Sequence, residues 1–167
     1  MRNFKIRSGD SSDCQSITDI FNYYITKSYA RFETKPFSYN NRLEWLKQFN
    51  PGTVHQILVA EGKEGVLGFA CSQPYRDDIA FEGTAEVTIY LSPHTVSSGI
   101  GTALYTELFR SLSKTGLHRL LSGIALPNDA SVELHRKFGF EEIGVFDQYA
   151  KKNGKFISSI WLQKLMK

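Results

Sequence analysis

The 167-residue sequence has few of the residues that build disulfide frameworks or metal centres. It contains two cysteines, Cys14 and Cys71, and four histidines, and no pair of these residues has the spacing of a zinc site. We therefore expect reduced packing cysteines and no bound metal. No apolar run approaches the roughly 20 residues of a membrane span, and no charged and then apolar segment has the pattern of a signal peptide. The sequence thus predicts a cytoplasmic protein with no membrane partner.

A strong excess of charge of one sign is also absent. The chain has 20 Lys and Arg against 17 Asp and Glu, for a formal net charge of +3. The basic residues are scattered except in the segment 151–155, Lys-Lys-Asn-Gly-Lys, which is typical of a hairpin turn with solvated lysines. We therefore expect no nucleic-acid partner, and the weakly basic balance also suits a cofactor that carries several phosphates.

The chain lacks repeats, low-complexity stretches and linkers, so we expect residues 1–167 to form a single domain. Alternating and helical hydrophobic spacings predict the element order βα(α)βββαβαββ. The predicted strands are 3–8, 56–60, 66–72, 83–91, 119–125, 141–149 and 155–164. The predicted helices are one that follows the cap candidates 8–11 and ends at Lys27, and those at 42–49, 98–114 and 130–137.

The most informative stretch runs from Glu86 to Thr102, where a β-branched and aromatic strand breaks into a turn that opens a helix. Gly99 and Gly101 fall in the first helical turn, where backbone N–H groups have no intrahelical partner and carry the positive end of the helix dipole. This pattern predicts binding of a phosphorylated cofactor. The alternative is a tight turn without a ligand, since neither a Rossmann fingerprint nor a P-loop is present.

Glu86 is the one acidic residue in the apolar run that precedes this turn. A carboxylate beside Val87 and Ile89 should be partly desolvated, which raises its pKa and suits a general base. The alternative is an acid at the solvated end of the strand.

Two motifs follow one another along the chain: Gly99-x-Gly101 after a strand, and Asn128-x-x-Ser131-x-x-x-His135-x-x-x-Gly139-Phe140. Together with the element order they resemble the GNAT superfamily of acyl-CoA-dependent N-acetyltransferases. More narrowly, Thr84-Ala-Glu86, Tyr90-Leu-Ser, the segment 126–135 and Gly139-Phe-x-x-x-Gly144 resemble the phosphinothricin acetyltransferase branch. The resemblance implies an α/β (α+β) GNAT fold. Its sheet would be mixed, mostly antiparallel and strongly twisted, with helices on both faces and the strand ending at Leu91 splayed from the strand 119–125.

The same resemblance implies acetyl-CoA as co-substrate. Its pantetheine arm would lie in the gap between the splayed strands, and its pyrophosphate on the backbone of the glycine turn. The implied cofactor-binding residues are Ile89, Tyr90, Leu91, Val96, Ser97, Ser98, Gly99, Ile100, Gly101, Thr102, Asn128 and Ser131. The segment 96–98 departs from the superfamily, which has Gln or Arg and further basic residues there, so backbone amides would carry most of the phosphate contact.

For catalysis, the resemblance assigns Glu86 to the base position and His135 to the position of a general acid or proton relay. From the residue alone, His135 is a surface or core histidine by default, and it is the surrounding motif that makes a role in the site an equal alternative. Both side chains could also act through a water. The oxyanion of the tetrahedral intermediate would accept from a backbone N–H, such as that of Leu91.

The implied acceptor is a primary amine of a small molecule, such as an amino acid or an analogue like phosphinothricin or methionine sulfone or sulfoximine. The segment Arg31-Phe32-Glu33-Thr34 matches the acceptor-side loop of the branch in its Phe and Thr positions, and it would contribute a wall of the amine pocket. Arg76 could pair with a substrate carboxylate, whereas Asp78 would repel one or belong to a solvated turn. These departures leave the charge of the acceptor open.

Two other functions remain open at this level. The residues at 96–98 suit a non-catalytic acyl-CoA-binding module, and an open groove would suit an enzyme that acetylates protein N-termini or lysines. Analogy with the superfamily adds a homodimer as a possible assembly.

Overall fold

A single sheet of seven strands organises the fold. A computed structural model describes residues 3–95 and 99–166, and the strands lie in the spatial order β1-β2-β3-β4-β5-β7-β6. The strands are β1 Phe4–Ser8, β2 Gln56–Gly62, β3 Gly65–Pro74, β4 Thr84–Leu91, β5 Arg119–Ala125, β6 Glu141–Lys152 and β7 Lys155–Leu165. The helices are α1 Cys14–Lys27, α2 Tyr39–Leu46, α3 Ile100–Leu112 and α4 Asp129–Lys137. All predicted elements are therefore present, with small shifts at their ends.

The sheet is mixed and mostly antiparallel, as expected. Within the described ranges, its one parallel pairing joins β4 to β5 and involves Thr84–Glu86 opposite Arg119–Leu121. Beyond this point β4 continues to Leu91 and β5 to Ala125 without pairing with each other, while each keeps its other neighbour, β3 or β7. The predicted splay between these two strands is confirmed, and it opens a cleft in the middle of the sheet.

Helices cover both faces of the sheet, and the alternation along β2 shows how. Ile57 and Val59 pack with the side chains of α1 and α2, whereas Leu58 and Ala60 pack with those of α3. Successive side chains of a strand point to opposite faces, so an uninterrupted apolar strand needs a layer on each side. α3 therefore covers the face of the sheet to which Leu58 and Ala60 point.

The turn between β6 and β7 is the predicted hairpin, with Asn153 at φ 50° and Gly154 at φ 80°. The expectation of solvated lysines beside it is wrong for Lys152, which is 2% exposed, while its neighbour Lys151 is exposed. Neighbouring residues of a strand face opposite sides. The side of the hairpin that carries Lys152 lies against the end of α1, where its ammonium binds backbone carbonyls.

Both cysteines are buried free thiols. No helix in the described part of the chain is long and apolar enough to cross a membrane. Within residues 3–95 and 99–166, no cluster of three or more His, Cys, Asp or Glu side chains has the arrangement of a metal site.

Candidate active site

Three adjoining cavities surround the splay of β4 and β5. The central cleft is lined by residues 87–90 of β4 and 122–125 of β5, with Asn128, Ser131 and His135 at its floor. A second, helix-side cavity of about 210 Å³ lies between residues 89–91 and the start of α4. A third, of about 330 Å³, is lined by Arg31, Phe32, Glu33, Gln73, Glu86, Tyr149, Ser159 and Trp161, among others, and is called the aromatic cavity below. Ala30 and Tyr90 line all three, so the cavities adjoin one another at these two residues.

The glycine turn presents bare backbone at the start of α3. Gly99 has a φ of 72°, a left-handed conformation that glycine adopts without strain. The first helical bond runs from the Ala103 N–H to the Gly99 carbonyl, 2.9 Å, so the N–H groups of residues 100–102 lie in the unpaired first turn. The side chain of Ile100 packs in the core, which leaves only its backbone for a ligand. The candidates Val96, Ser97 and Ser98 lie outside the described residues.

A lysine from another helix lies beside this turn. The ammonium of Lys137, the last residue of α4, is 3.4 Å from the hydroxyl of Thr102. Sequence reasoning missed Lys137, because 35 residues separate it from Thr102 along the chain. The sequence signal available was its position in the last turn of a predicted helix.

The free edge of β4 lines the helix-side cavity through Ile89, Tyr90 and Leu91. The Tyr24 hydroxyl donates to the Leu91 carbonyl at 2.9 Å, and the Tyr90 hydroxyl donates to the Ala30 carbonyl at 3.1 Å. These two bonds attach β4 to α1 and to the segment after it. The strand edge is therefore held in place while its other backbone groups face the cavity.

Asn128 and Ser131 lie together at the start of α4 and line both the central cleft and the helix-side cavity. The side-chain oxygen of Asn128 caps the helix by accepting from the Ser131 N–H at 3.3 Å. The side-chain amide group of Asn128 supplies its hydrogen-bond donors. The structure thus brings these two candidates beside the edge of β4.

Glu86 is the last residue of β4 that pairs with β5, opposite Leu121, and its side chain lines the aromatic cavity. Burial raises the pKa of this carboxyl, and the nearby charge of Arg31 only partly opposes the shift. The expected desolvation of Glu86 is therefore present. Glu86 itself does not line the central cleft, but Thr88, two residues further along β4, lines both the aromatic cavity and that cleft.

His135 is 1% exposed and is held from both sides of its ring. Because the Ser131 carbonyl can only accept, Nδ1 carries a hydrogen and donates to it at 2.7 Å. Nε2 then has the lone pair, 2.8 Å from the Tyr105 hydroxyl and 2.9 Å from that of Ser122. Burial lowers the pKa of His135 despite the bond to Ser131, which favours the neutral ring.

Sequence reasoning missed Tyr105 and Ser122. Each interrupts a predicted apolar face: Tyr105 lies beside Leu104 in α3, and Ser122 is buried within β5. A buried hydroxyl requires a hydrogen-bond partner, and that requirement was the available signal. Nothing in the spacing identified His135 as the partner, because 30 and 13 residues separate it from the two hydroxyls.

The segment after α1 supplies one wall of the aromatic cavity. Arg31 forms an ion pair with Glu33, and its guanidinium lies 4.8 Å from the centroid of Phe21. Burial alone would raise the pKa of Glu33, but the hydrogen bond and charge of Arg31 outweigh it and hold that pKa below its usual value. Arg31, Phe32 and Glu33 thus line the same cavity as Glu86.

Arg76 and Asp78 lie apart from this group. Arg76 is exposed and lies 5.3 Å from the ring centroids of Tyr75 and Phe81. Asp78 accepts from the Ala80 N–H at 2.9 Å, which caps a short 3₁₀ turn. Neither lines the described cavities of the chain, so the solvated-turn interpretation fits Asp78.

The sequence model of the acetyltransferase (GNAT) family matches residues 17–140. The chain belongs to the GNAT acetyltransferase family. It is 35% identical over 162 residues to a phosphinothricin N-acetyltransferase of Streptomyces coelicolor, an alignment that covers 96% of this chain and 95% of the relative. It is 28% identical over 158 residues to an L-methionine sulfoximine/L-methionine sulfone acetyltransferase of Salmonella typhimurium, covering 95% and 92% of the two chains.

The fold of this GNAT protein matches a solved phosphinothricin acetyltransferase from Sinorhizobium meliloti in complex with acetyl-CoA, with a TM-score of 0.91 at 27% identity. The match covers 98% of this chain and 89% of the other. The expected family, branch and fold are confirmed, as is the expectation of an acetyl-CoA-dependent N-acetyltransferase. The non-catalytic alternative is accordingly set aside.

Proposed function

We propose that this enzyme transfers the acetyl group of acetyl-CoA to the primary amine of a small, amino-acid-like acceptor, the class that includes phosphinothricin and methionine sulfone and sulfoximine. In this scheme the thioester lies in the central cleft and the acceptor lies in the aromatic cavity. The observation that carries the proposal is Glu86, a carboxyl of raised pKa that lines the aromatic cavity two residues before Thr88, which lines both spaces. The amine nitrogen attacks the thioester carbonyl, the carbon–sulfur bond breaks, and CoA leaves as a thiolate.

Glu86 acts as the general base. An ammonium group must lose a proton before it can attack, and a carboxylate of raised pKa accepts that proton more readily than an ordinary one does. Burial of the carboxyl supports this role, because desolvation is the main cause of the raised pKa of Glu86.

His135 acts as a relay between the acetylated nitrogen and the thiolate. The nitrogen loses a second proton as the amide forms. Nε2 of neutral His135 accepts that proton, and the resulting imidazolium, whose pKa burial lowers, gives it to the thiolate. Nε2 is reached from the cleft through Ser122, whose hydroxyl lies 2.9 Å away and lines the same cavity. The Nδ1 bond to the Ser131 carbonyl fixes the tautomer, so that Nε2 is the nitrogen that exchanges protons with the hydroxyls.

The cofactor's pyrophosphate binds the unpaired N–H groups at the start of α3, and its pantetheine arm binds the free edge of β4. Asn128 and Ser131 flank the arm on the side of α4. Val96, Ser97 and Ser98 carry no positive charge. Lys137 supplies a cation to the same turn, which supports its assignment as the charged contact to the phosphates.

The acceptor lies among aromatic rings and a closed ion pair. Phe32, Tyr149 and Trp161 line the cavity, and Arg31 is already neutralised by Glu33. Within the proposed class, this lining favours methionine sulfone and sulfoximine over phosphinothricin. The phosphinate of phosphinothricin adds a second negative charge, which would lose its hydration without gaining an unpaired partner. Arg76 and Asp78 would then meet the acceptor only at the entrance.

Residues 1–167 act as one catalytic domain in this scheme, and the supply of acetyl-CoA supports a cytoplasmic location.

A homodimer is supported by the outer edge of the sheet. The following large apolar side chains of β6 and β7 are about half exposed: Ile143, Val145, Phe146, Tyr149 and Phe156. Such a patch is typical of a protein interface.

An acceptor screen tests the proposed reaction. The enzyme is incubated with acetyl-CoA and, separately, phosphinothricin, methionine sulfone, methionine sulfoximine, neutral amino acids, polyamines and a peptide with a free N-terminus, and CoA thiol release is measured. Release with the amino-acid-like compounds is expected. Release with only the polyamines or only the peptide would overturn the assignment of the acceptor class.

A further inference from the structure

The side chain of Lys152 occupies an unusual place for a lysine. It comes from the end of β6, directly before the hairpin turn, and is 2% exposed. Its ammonium donates to three backbone carbonyls: those of Ile25 at 2.6 Å, Ser28 at 2.9 Å and Arg31 at 2.7 Å. An ammonium has three N–H donors, so all of them are used.

These three carbonyls mark the path of the chain as it leaves α1. Ile25 lies in the last turn of the helix, Ser28 is its C-cap, and Arg31 is the first charged residue beyond it. Carbonyls at a helix C-terminus lack intrahelical partners and carry the negative end of the dipole, so a buried cation is favoured there. One side chain therefore fixes both the end of α1 and the direction of the segment 28–31.

The segment 28–31 has further internal and external bonds. The Ser28 hydroxyl donates to the Tyr24 carbonyl and accepts from the Ala30 N–H, while the Ala30 carbonyl accepts from Tyr90 of β4. Ala30 lines all three cavities. The segment is thus attached to β4 through Tyr90 and to the C-terminal hairpin through Lys152.

We propose that Lys152 is a positioning residue of the acceptor site, whose ammonium holds the segment 28–31 so that Arg31, Phe32 and Glu33 form a wall of the aromatic cavity. This inference rests on the proposed function for the identity of that cavity. Without the three bonds, the hydrogen bonds left to the described segment are the Tyr90 contact and the local Ser28 turn, beside side-chain contacts such as that of Arg31 with Phe21. The wall would then move relative to Glu86, which belongs to a different element.

Kinetics of Lys152→Met test the proposal, with Lys151→Met as the matched control. Lys151 is the preceding residue of the same strand and is exposed, with its ammonium 5.4 Å from the ring centroid of Phe156. For Lys152→Met we expect the KM of an active acceptor to rise about tenfold or more, as for a displaced positioning group, with the dissociation constant of CoA unchanged. The control should change neither value.

Hydrogen exchange gives a second readout that needs no acceptor. In Lys152→Met, amide exchange should accelerate in residues 28–33 while the amides of β4 and β5 keep their protection. Lys152→Gln, which retains two N–H donors, should fall between the wild type and Lys152→Met in both readouts. A failed acceptor screen with accelerated exchange at 28–33 would refute the proposed function and leave the role of Lys152 standing.

Three results would overturn the proposal. The first is an unchanged acceptor KM with unchanged exchange at residues 28–33. The second is an equal loss of CoA binding and acceptor binding, which would make Lys152 a general stabiliser of the fold. The third is loss of cooperative unfolding in both Lys152→Met and Lys152→Gln, which would have the same meaning.

Discussion

The Tyr105 hydroxyl lies 2.8 Å from Nε2 of His135, and both side chains are almost completely buried between α3 and α4. Burial raises the pKa of Tyr105 well above its usual value, so the hydroxyl keeps its hydrogen and can donate it. A hydroxyl that donates to Nε2 stabilises the neutral imidazole. Tyr105 therefore helps to set the protonation state of the proposed relay from a position outside the cleft.

Removing this hydroxyl should change both stability and the titration of His135. For Tyr105→Phe we expect a loss of about 1 kcal/mol in unfolding free energy, the usual value of one buried hydrogen bond, and a rise in the pKa of His135. Urea denaturation and NMR titration of the imidazole measure the two effects. Tyr23→Phe, at an exposed tyrosine, is the control and should leave both unchanged. An unaltered His135 titration in Tyr105→Phe would contradict the assigned donor.

Glu86→Gln should separate chemistry from cofactor binding. We expect kcat to fall by about 10²- to 10⁴-fold, the usual contribution of a general base, while calorimetry gives an unchanged CoA dissociation constant. In the wild type, the rate should rise with pH across a window above the usual glutamate pKa of 4.5, because the pKa of Glu86 is raised. This limb of the profile should be missing from the variant. Glu82→Gln, on an exposed turn, should retain the wild-type profile.

The same substitution should not destabilise the protein. A carboxyl whose pKa is higher in the folded state favours the protonated form, so the folded state loses stability as the pH rises through that pKa. At neutral pH the ionised Glu86 is therefore unfavourable, and Glu86→Gln should have a Tm equal to or above that of the wild type. A marked fall in Tm would instead assign Glu86 a structural role.

His135 should make the protein less stable in mild acid. Its pKa is below 6.5 in the folded state, so the unfolded chain takes up the proton first as the pH falls. The contribution of neutral His135 to the unfolding free energy is fully present above pH 6.5 and declines below it. Unfolding free energies measured between about pH 7.5 and about pH 5 should decline less steeply in His135→Gln than in the wild type, with exposed His94→Gln as control. Parallel slopes for all three proteins would contradict the burial of a neutral ring.

Lys137→Met should weaken the binding of acetyl-CoA. We expect a rise of about three- to tenfold in its KM, about 0.7–1.4 kcal/mol, because one charge-assisted contact to the phosphates is lost. The effect should shrink in high salt and be absent with acetyl-pantetheine, which lacks the pyrophosphate. Arg136→Met, at the neighbouring residue that bonds to Glu142 at 3.3 Å, is the control. An equal effect with acetyl-pantetheine would rule out a phosphate contact.

Gly68→Ala should displace the end of β4 that lines the cleft, because Gly68 of β3 lies opposite Leu91. A Cβ at Gly68 would lie 2.6 Å from a Leu91 methyl carbon and 2.9 Å from the Tyr90 carbonyl oxygen, and the backbone atom cannot move aside without shifting β4. We expect a loss of about 1–3 kcal/mol in denaturant unfolding, as for other overpacked sites. Gly144→Ala, where a Cβ meets nothing within 4 Å, should change stability by less than about 0.5 kcal/mol.

Local patterns predicted the elements and much of the site. The strands at 56–60 and 66–72, the glycine turn before α3 and the hairpin turn at 153–154 each depend on residues close in sequence, and each is present in the structure. The partners of His135 could not be predicted in this way, since they come from α3 and β5. The burial of Lys152 is a stronger case, because its carbonyl partners lie 121 to 127 residues away.

The three residue pairs that join β4 to β5 are the only backbone pairing that the described chain provides between β1–β4 and β5–β7. A ligand arm that lies between the two strands and bonds to the edge of β4 would stand where an inserted strand would lie. Substrate occupancy and the rigidity of the two half-sheets are then linked. Release of CoA would remove that contact at every cycle, and the two half-sheets would then be joined by the three residue pairs and by the shared core beneath α3.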